Sequence, residues 1–282
     1  MIRPALQGEE FLADVAAARL RLDVLSIWWL GQSGFLLHWQ GRFALLDPYL
    51  SDSLSKKYAA TDKPHVRMTE RVVAPEWLDF VEVVTSSHNH TDHLDAETLQ
   101  PLVRVNPNLI MVCPEANRVT VRERSGLPDG RIMGLDAAAS VDRAEVAGFQ
   151  FHAVPAAHED LAVDSSGRHI YLGFVVRAGP WTVYHSGDTV RYPGMAGRLR
   201  PFHVDLALLP INGRAPERRV AGNLSGPEAA QLATDLGAGC VLPCHYDMFA
   251  FNTASPEEFA SACGRLGQKF SVLQQGARWS LP

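Results

Sequence analysis

Residues 88–93, His-Asn-His-Thr-Asp-His, place three imidazoles and one carboxylate within a single short segment. Neutral imidazole is a good ligand for divalent transition metals, and a carboxylate adds a harder oxygen ligand with a negative charge. The apolar residues 81–84 before this segment predict a buried strand, and residues 94–103 after it predict a helix. The pattern therefore predicts a metal site on a strand-to-helix loop, with an exposed polar loop as the simpler alternative.

Four further polar side chains each follow a short apolar run, as a residue at the end of a strand would. A single His is often a surface or core residue, and a single Asp often caps a helix or lies in a turn, as Asp47 before Pro48 would. Their occurrence in one chain and in one order is more specific than any one of them. The four residues are Asp47, His158, Asp188 and His245.

Taken in chain order, these motifs resemble those of the metallo-β-lactamase superfamily, from about Trp28 to the C-terminus. Residues 28–34, 184–188 and 243–248 are similar to the L-ascorbate-6-phosphate lactonase (UlaG-like) branch. Two departures leave the substrate open. The chain lacks an insertion that the lactonase has before its second half, and it has His158 where the lactonase carries Asp.

The resemblance implies two adjacent divalent ions, with manganese, zinc or iron all compatible with the ligands. The first would be bound by His88, His90 and His158, and the second by Asp92, His93 and His245. Asp188 would bridge the two, because a carboxylate has two oxygens. Asp47 would accept a hydrogen bond from a ligand imidazole and fix its tautomer.

Such a site would activate water. One zinc-like ion already lowers the pKa of bound water from roughly 15.7 to about 7, and the metal-bound hydroxide would attack a carbonyl carbon or a phosphorus. Asp92, Asp188 and His245 are the predicted catalytic side chains. The sequence contains no G-x-S-x-G and no G-x-x-x-x-G-K-[ST] motif, so serine-hydrolase and nucleotide-driven chemistry are not favoured.

The predicted function is a metal-dependent, lactonase-like hydrolase that opens a lactone or ester of a small sugar-derived molecule. The alternative is a phosphodiesterase acting on a cyclic nucleotide or another small phosphodiester. Two other classes are less favoured. A di-iron redox protein normally has a flavin domain alongside, and none is visible in this sequence. A non-catalytic binding module would bury these polar ligands at a cost and without benefit. Substrate contacts are predicted from Asn212 and Arg214, since Arg matches phosphate or carboxylate with a fork of donors, and from Tyr246 beside a ligand.

Composition limits the partners. The 282 residues are 46% hydrophobic and carry a net charge of −5 without a block of like charge. This favours a small-molecule substrate over long nucleic acid or a membrane surface, and a basic cluster at Arg214, Arg218 and Arg219 is compatible with a small phosphorylated one. Four cysteines without a CxxC pair, and a polar start without a signal-peptide pattern, predict a cytoplasmic protein. A homo-oligomer is compatible with the sequence.

The predicted elements favour an αββα sandwich, two mixed sheets packed face to face with helices outside. It would form a single domain over residues 1–282, with an N-terminal helical extension at about 1–25. The polar stretch 51–69 is predicted to be a loop that overhangs the site. Strands are predicted at 27–38 (two, with a turn), 43–46, 81–84, 109–113, 131–135, 145–154, 170–177, 181–185, 204–209, 240–243 and 270–273, and helices at 9–22, 75–80, 94–103, 115–124, 226–236 and 256–266.

Overall fold

A computed structural model describes residues 1–137, 143–218 and 220–281. Its first sheet has seven strands, in the spatial order β13-β1-β2-β3-β4-β5-β6. Neighbours from β13 to β3 are antiparallel, and those from β3 to β6 are parallel. The strands are β1 (Leu25–Gly31), β2 (Gly34–Trp39), β3 (Arg42–Leu46), β4 (Val83–Thr85), β5 (Ile110–Pro114), β6 (Ile132–Leu135) and β13 (Arg278–Leu281).

The second sheet has six strands, in the spatial order β12-β11-β10-β9-β8-β7. Neighbours from β7 to β10 are antiparallel, and those from β10 to β12 are parallel. The strands are β7 (Arg143–Val146), β8 (Phe149–Pro155), β9 (Leu172–Ala178), β10 (Trp181–His185), β11 (Leu206–Pro210) and β12 (Cys240–Cys244). Both sheets are mixed, as the sequence predicts.

Seven α-helices occur in the described residues: α1 (Glu9–Arg19), α2 (Ser53–Lys57), α3 (Ala96–Val105), α4 (Arg118–Ser125), α5 (Met195–Leu199), α6 (Gly226–Leu236) and α7 (Glu257–Leu266). Their ends follow local chemistry. The Asp95 carboxylate accepts from the Thr98 amide at the start of α3, and Ser225 forms a capping box with Glu228 at the start of α6. No helix in these ranges is long and apolar enough to cross a membrane.

The alternation of side chains in β1 shows how the layers pack. Leu25, Ile27 and Trp29 lie in a large core that includes residues of both sheets. Trp28 and Leu30 point the other way, into a second core shared with α1, α3 and α4. All five residues of β11 are buried, as expected for a strand covered on both faces, and α6 and α7 pack into the same core. The predicted αββα sandwich is confirmed.

Several boundaries differ from the prediction. Helix α1 ends at Arg19, and Leu22 is 55% exposed rather than part of the apolar face. The predicted strand 145–154 is a hairpin of β7 and β8, because Ala147 and Gly148 both take positive φ in a tight turn. An Ala-Gly pair is a weaker turn signal than Asn-Gly, so the sequence pattern did not separate the two strands.

Three further elements also differ from the prediction. Helix α5 was not expected, and residues 270–273 form only an isolated bridge, between Phe270 and Val241. The last strand of the first sheet is β13 instead. Within the predicted loop 51–69, the short helix α2 forms.

Strand direction brings the predicted site residues to one edge. Strands β3 and β4 are parallel, and β8, β10 and β12 run in one direction because β9 is antiparallel to both β8 and β10. The carboxyl ends of each set therefore lie at one edge of its sheet. The residues that follow these ends are Asp47, the segment 88–93, His158, Asp188 and His245.

Candidate metal centre

Seven side chains at this edge form two clusters, and within each cluster the candidate ligand atoms lie within 4.8 Å of one another. This is the division that the resemblance implies, apart from the position of Asp188, which lies in the second group. All are at least partly buried except His90. The first cluster is His88, His90 and His158, and the second is Asp92, His93, Asp188 and His245.

Asp188 lies between the two clusters. Its Oδ1 is 3.3 Å from His93 Nε2, and its Oδ2 is 3.5 Å from His245 Nε2 and 3.6 Å from His158 Nε2. Two ligands of one tetrahedral ion with bonds of about 2.0–2.2 Å lie roughly 3.3–3.6 Å apart. The Asp188 carboxylate is therefore placed to share edges with ligands of both groups, as a bridging carboxylate would be.

Asp47 fixes the orientation of His93. The His93 Nδ1 lies 2.8 Å from Asp47 Oδ2, while Asp47 Oδ1 accepts from Thr85 Oγ1 at 2.7 Å and from the Ser87 amide at 3.0 Å. Because the carboxylate can only accept, Nδ1 carries a proton, which leaves Nε2 as the nitrogen available to a metal. That Nε2 is buried and has no hydrogen-bond partner, which is the environment that a metal ligand needs.

Two imidazoles of the first cluster are also held through Nδ1. His158 Nδ1 donates to the Gly222 carbonyl at 2.9 Å, which leaves Nε2 directed at Asp188. His88 Nδ1 lies 3.0 Å from Ser87 Oγ, and its Nε2 is buried without a partner. Both side chains are therefore held through Nδ1, which leaves Nε2 as the nitrogen available to a metal.

The electrostatics of the site stabilise positive charge. Burial alone would lower the pKa values of the buried imidazoles, but the Asp188 and Asp92 carboxylates raise the pKa of His93 well above its ordinary value. The same carboxylates raise the pKa of His245 to about 9. Burial alone would raise the pKa of Asp188, yet His93 and His245 hold it well below the ordinary range. The two carboxylates, the imidazole ligands and the buried nitrogens of His88 and His93 that lack a partner together suit divalent cations.

Gln32 is a residue of this centre to which the sequence pattern assigns no role. It is buried in the turn between β1 and β2, and its Nε2 donates to Asp92 Oδ2 at 3.0 Å and lies 3.3 Å from His245 Nε2. The backbone carbonyl of Gln32 accepts a hydrogen bond from the His245 backbone amide at 3.0 Å. The buried His185 at the end of β10 points to the same turn and donates from Nε2 to the Ser33 carbonyl at 2.8 Å.

Gln32→Ala is expected to weaken metal binding at the second cluster by about tenfold, because the contact that orients Asp92 is lost. Binding at the first cluster should change less, since Gln32 does not contact it. Metal titration that resolves two dissociation constants checks this. Gln40→Ala is the control, because Gln40 also has positive φ in a turn of the same sheet but is exposed. Equal constants for the two variants would remove Gln32 from the centre.

Asp47→Ala is expected to lower metal affinity or activity by about 10–100-fold. The buried His93 imidazole then loses the partner that selects its tautomer, and the Ser87 amide loses its acceptor. Equilibrium dialysis followed by metal analysis gives the affinity. Wild-type affinity and rate would mean that Asp47 is only a turn residue.

Two of the predicted substrate contacts lie in the interior. Tyr246 is 2% exposed, its ring packs 4.3 Å from that of Trp29, and its hydroxyl donates to the Leu273 carbonyl. Asn212 is also buried, where its amide donates to Asn252 Oδ1 at 2.9 Å. Contrary to the prediction, both side chains are buried and neither lines the pocket. Tyr246 enters the core because the chain turns sharply at His245, whose φ is 64°.

Arg214 is likewise placed away from the pocket. Its guanidinium forms an ion pair with Glu228 at the start of α6, and its aliphatic part packs over Gly222. Arg218 donates to Asn252 Oδ1 at 2.6 Å, and Arg219 lies outside the described residues. The predicted anion-binding role of Arg214 is therefore not supported, because the nearest carboxylate pairs with its charge.

A pocket of about 490 Å³ opens above the two clusters. The segment 51–69 covers one side of it, as predicted, and contributes five lining residues. One of them is His65, which belongs to none of the sequence motifs described above. The lining residues outside the two clusters are Gln32, Leu54, Lys57, Tyr58, Lys63, His65, Asn89, Thr91, Arg124, Val220, Ala221, Phe249 and Asn252.

Comparison with known proteins agrees with this geometry. The chain is 27% identical over 256 residues to a UPF0173 metal-dependent hydrolase of Caldivirga maquilingensis, covering 90% of this chain and 97% of the relative. It is 28% identical to a UPF0173 metal-dependent hydrolase of Myxococcus xanthus, covering 95% of this chain and 87% of the relative.

Among solved structures, an isothiocyanate hydrolase from Delia radicum gut bacteria has the same fold, with a TM-score of 0.72 at 18% identity over 90% of this chain and 98% of the other. The closer resemblance to the lactonase branch stays a prediction. The family model described as beta-lactamase superfamily domain matches residues 42–246, the part of the chain that carries every residue of the two clusters. The chain therefore belongs to the β-lactamase superfamily.

Proposed function

We propose that the protein is a dinuclear metal-dependent hydrolase that opens a lactone or ester of a small molecule. The position of Asp188 carries the proposal, because its two oxygens lie 3.3–3.6 Å from imidazole nitrogens of both clusters. A carboxylate so placed is suited to neutralise two cations at once. The metal-dependent hydrolases among the relatives support the same class of reaction.

Each side chain then has a defined task. His88, His90 and His158 hold one divalent ion, manganese or zinc with iron as a further option, and the second cluster holds another. Bound there, the ions would supply Lewis-acid catalysis and water activation. Asp47 and the Gly222 carbonyl keep two of the imidazoles in the ligating tautomer.

The pocket limits the substrate. A volume of about 490 Å³ accommodates one small molecule, and ligand sites of this size are common. The lining residues other than the metal ligands combine apolar and aromatic side chains with polar ones. Such walls suit a small ester or lactone whose carbonyl lies against the two clusters.

A hydrolysis screen of the protein reconstituted with manganese or with zinc tests the proposal. Lactones, simple esters, thioesters and phosphodiesters are assayed in parallel, with the chelated protein as the blank. We expect turnover of lactones or esters that depends on added metal. Cleavage of phosphodiesters alone would replace the lactonase proposal by a phosphodiesterase, and turnover that survives chelation would exclude metal-dependent hydrolysis.

A further inference from the structure

The pocket has an uneven charge distribution outside its metal ligands. Within the described part of the chain, three cationic side chains line it, and the only lining carboxylates are Asp92 and Asp188 of the second cluster. The cationic residues are Lys57, Lys63 and Arg124. Two divalent ions would outweigh the two carboxylates, so the whole pocket would attract an anion.

Lys57 lies beside a cluster of packed aromatic rings formed by Tyr58, His65 and Phe249. Its Nζ lies 5.1 Å from the centroid of the Tyr58 ring, which stacks on His65 at 4.5 Å. His65 in turn contacts the buried Phe249 ring edge-on at 5.1 Å, and Ser55 Oγ donates to the His65 carbonyl at 2.6 Å. The segment that carries Lys57 is therefore held in place by its own packing.

Arg124, near the end of α4, is held beside the metal-ligand loop. Its Nη1 donates to the Asn89 carbonyl at 2.7 Å and to the Leu94 carbonyl at 3.2 Å. Neutral carbonyls orient the guanidinium without cancelling its charge. Because Arg has five N–H donors, a side chain held through one nitrogen still has donors for a ligand.

The contrast with sequence neighbours is informative. Lys56 pairs with Glu97 at 2.7 Å, and Arg122 pairs with Asp129 at 3.3 Å. Neither Lys57 nor Arg124 forms an ion pair with any residue that the structure describes, although each is one or two positions away from a paired cation. Lys57 and Arg124 therefore line the pocket without a carboxylate partner among the residues that the structure describes.

We propose that Lys57 and Arg124 form an anion subsite that binds a carboxylate or phosphate group of the substrate remote from the bond that is cleaved. This inference rests on the hydrolase function proposed above and names its substrate class. The middle of such a substrate would lie against the Tyr58 and Phe249 walls. The guanidinium offers a planar fork and the ammonium a point charge, a pairing suited to an oxyanion.

A matched pair of substrates tests the subsite. The 4-nitrophenyl monoester of a long dicarboxylic acid has a free remote carboxylate, and its methyl ester has none. For Lys57→Ala we expect KM for the acid to rise about tenfold, equivalent to about 1.4 kcal/mol, with kcat little changed. For the methyl ester, KM should change by less than about threefold. High salt should weaken the preference for the acid in the wild type.

Lys56→Ala is the matched control, because Lys56 lies next to Lys57 on α2 but pairs with Glu97 outside the pocket. Arg124→Lys keeps the charge and loses the fork, and its metal content is measured to show that the metal-ligand loop is intact. An equal change for both esters, or an equal effect of Lys56→Ala and Lys57→Ala, would overturn the subsite.

Failure of the proposed function gives a different result, since neither ester would then be turned over. In that case calorimetry with the monoamide of the same dicarboxylic acid decides the subsite without turnover. The subsite is supported if the wild type binds the monoamide, Lys57→Glu weakens this binding about tenfold and Lys56→Glu leaves it unchanged. Equal binding by all three proteins would overturn it.

Discussion

Asp188→Asn is expected to reduce turnover by about a hundredfold or more and to lower the metal content of the protein. The substitution keeps the shape of the side chain but removes the negative charge that lies 3.3 Å from His93 Nε2 and 3.5 Å from His245 Nε2. An amide offers one oxygen where the carboxylate offers two, so it cannot neutralise two cations. Metal analysis together with steady-state kinetics measures both effects.

Asp205→Asn provides the control for this variant. Asp205 accepts from the Thr182 amide at 2.8 Å and precedes β11, at the edge of the sheet away from the clusters. The Asp205→Asn variant should keep the metal content and turnover of the wild type. A thermal unfolding curve shows whether Asp188→Asn is folded. Near-normal turnover with full metal content in that variant would show that Asp188 is not a bridging ligand.

Gly187→Ala is expected to lower the free energy of unfolding by about 3 kcal/mol, the sum of backbone strain and overpacking. Gly187 has φ of 59°, and a Cβ there would lie 2.6 Å from Ser87 Cβ and 3.0 Å from the Leu172 carbonyl. Ser87 would have to move, and with it the amide that binds Asp47. Metal affinity should therefore fall together with stability. Chemical denaturation of the metal-free protein gives the change in stability.

Gly194→Ala separates the two contributions. Gly194 also has a positive φ, of 83°, but a Cβ there would meet no atom within 4 Å. It should cost only the backbone strain of about 1 kcal/mol and leave metal binding unchanged. If the two variants were equally stable, the contact between Gly187 and Ser87 would not matter for the fold.

The metal-ligand candidates named from the sequence lie close together in the structure because each follows a strand. Strands β8, β10 and β12 run in one direction, so their carboxyl ends lie at the same edge of the sheet. His158, Asp188 and His245 follow these ends and therefore meet, although 87 positions separate the first from the last. The same reasoning placed Asp47 beside the segment 88–93. Strand order and direction determine these positions in the structure, whereas the pattern of apolar residues predicts only where each strand lies along the chain.

Residues in turns were not predictable in this way. Gln32 reaches Asp92 because its φ is 46°, and no pattern of residue types announces that conformation. Tyr246 follows His245, whose φ of 64° turns the chain sharply, so the next side chain enters the core. Arg214 was predicted from its guanidinium and its position after the strand 204–209, but the Glu228 carboxylate, 14 residues further on, pairs with it.

The metal content of the purified protein tests the central claim most directly. Protein prepared without chelator and saturated with manganese or zinc is analysed for metal and for protein concentration in the same sample. The two clusters and the position of Asp188 predict about two divalent ions per chain, because three imidazoles form one set and a carboxylate-rich set forms the other. Saturation at one ion per chain would contradict the dinuclear centre, and absence of bound metal would contradict the hydrolase proposal itself.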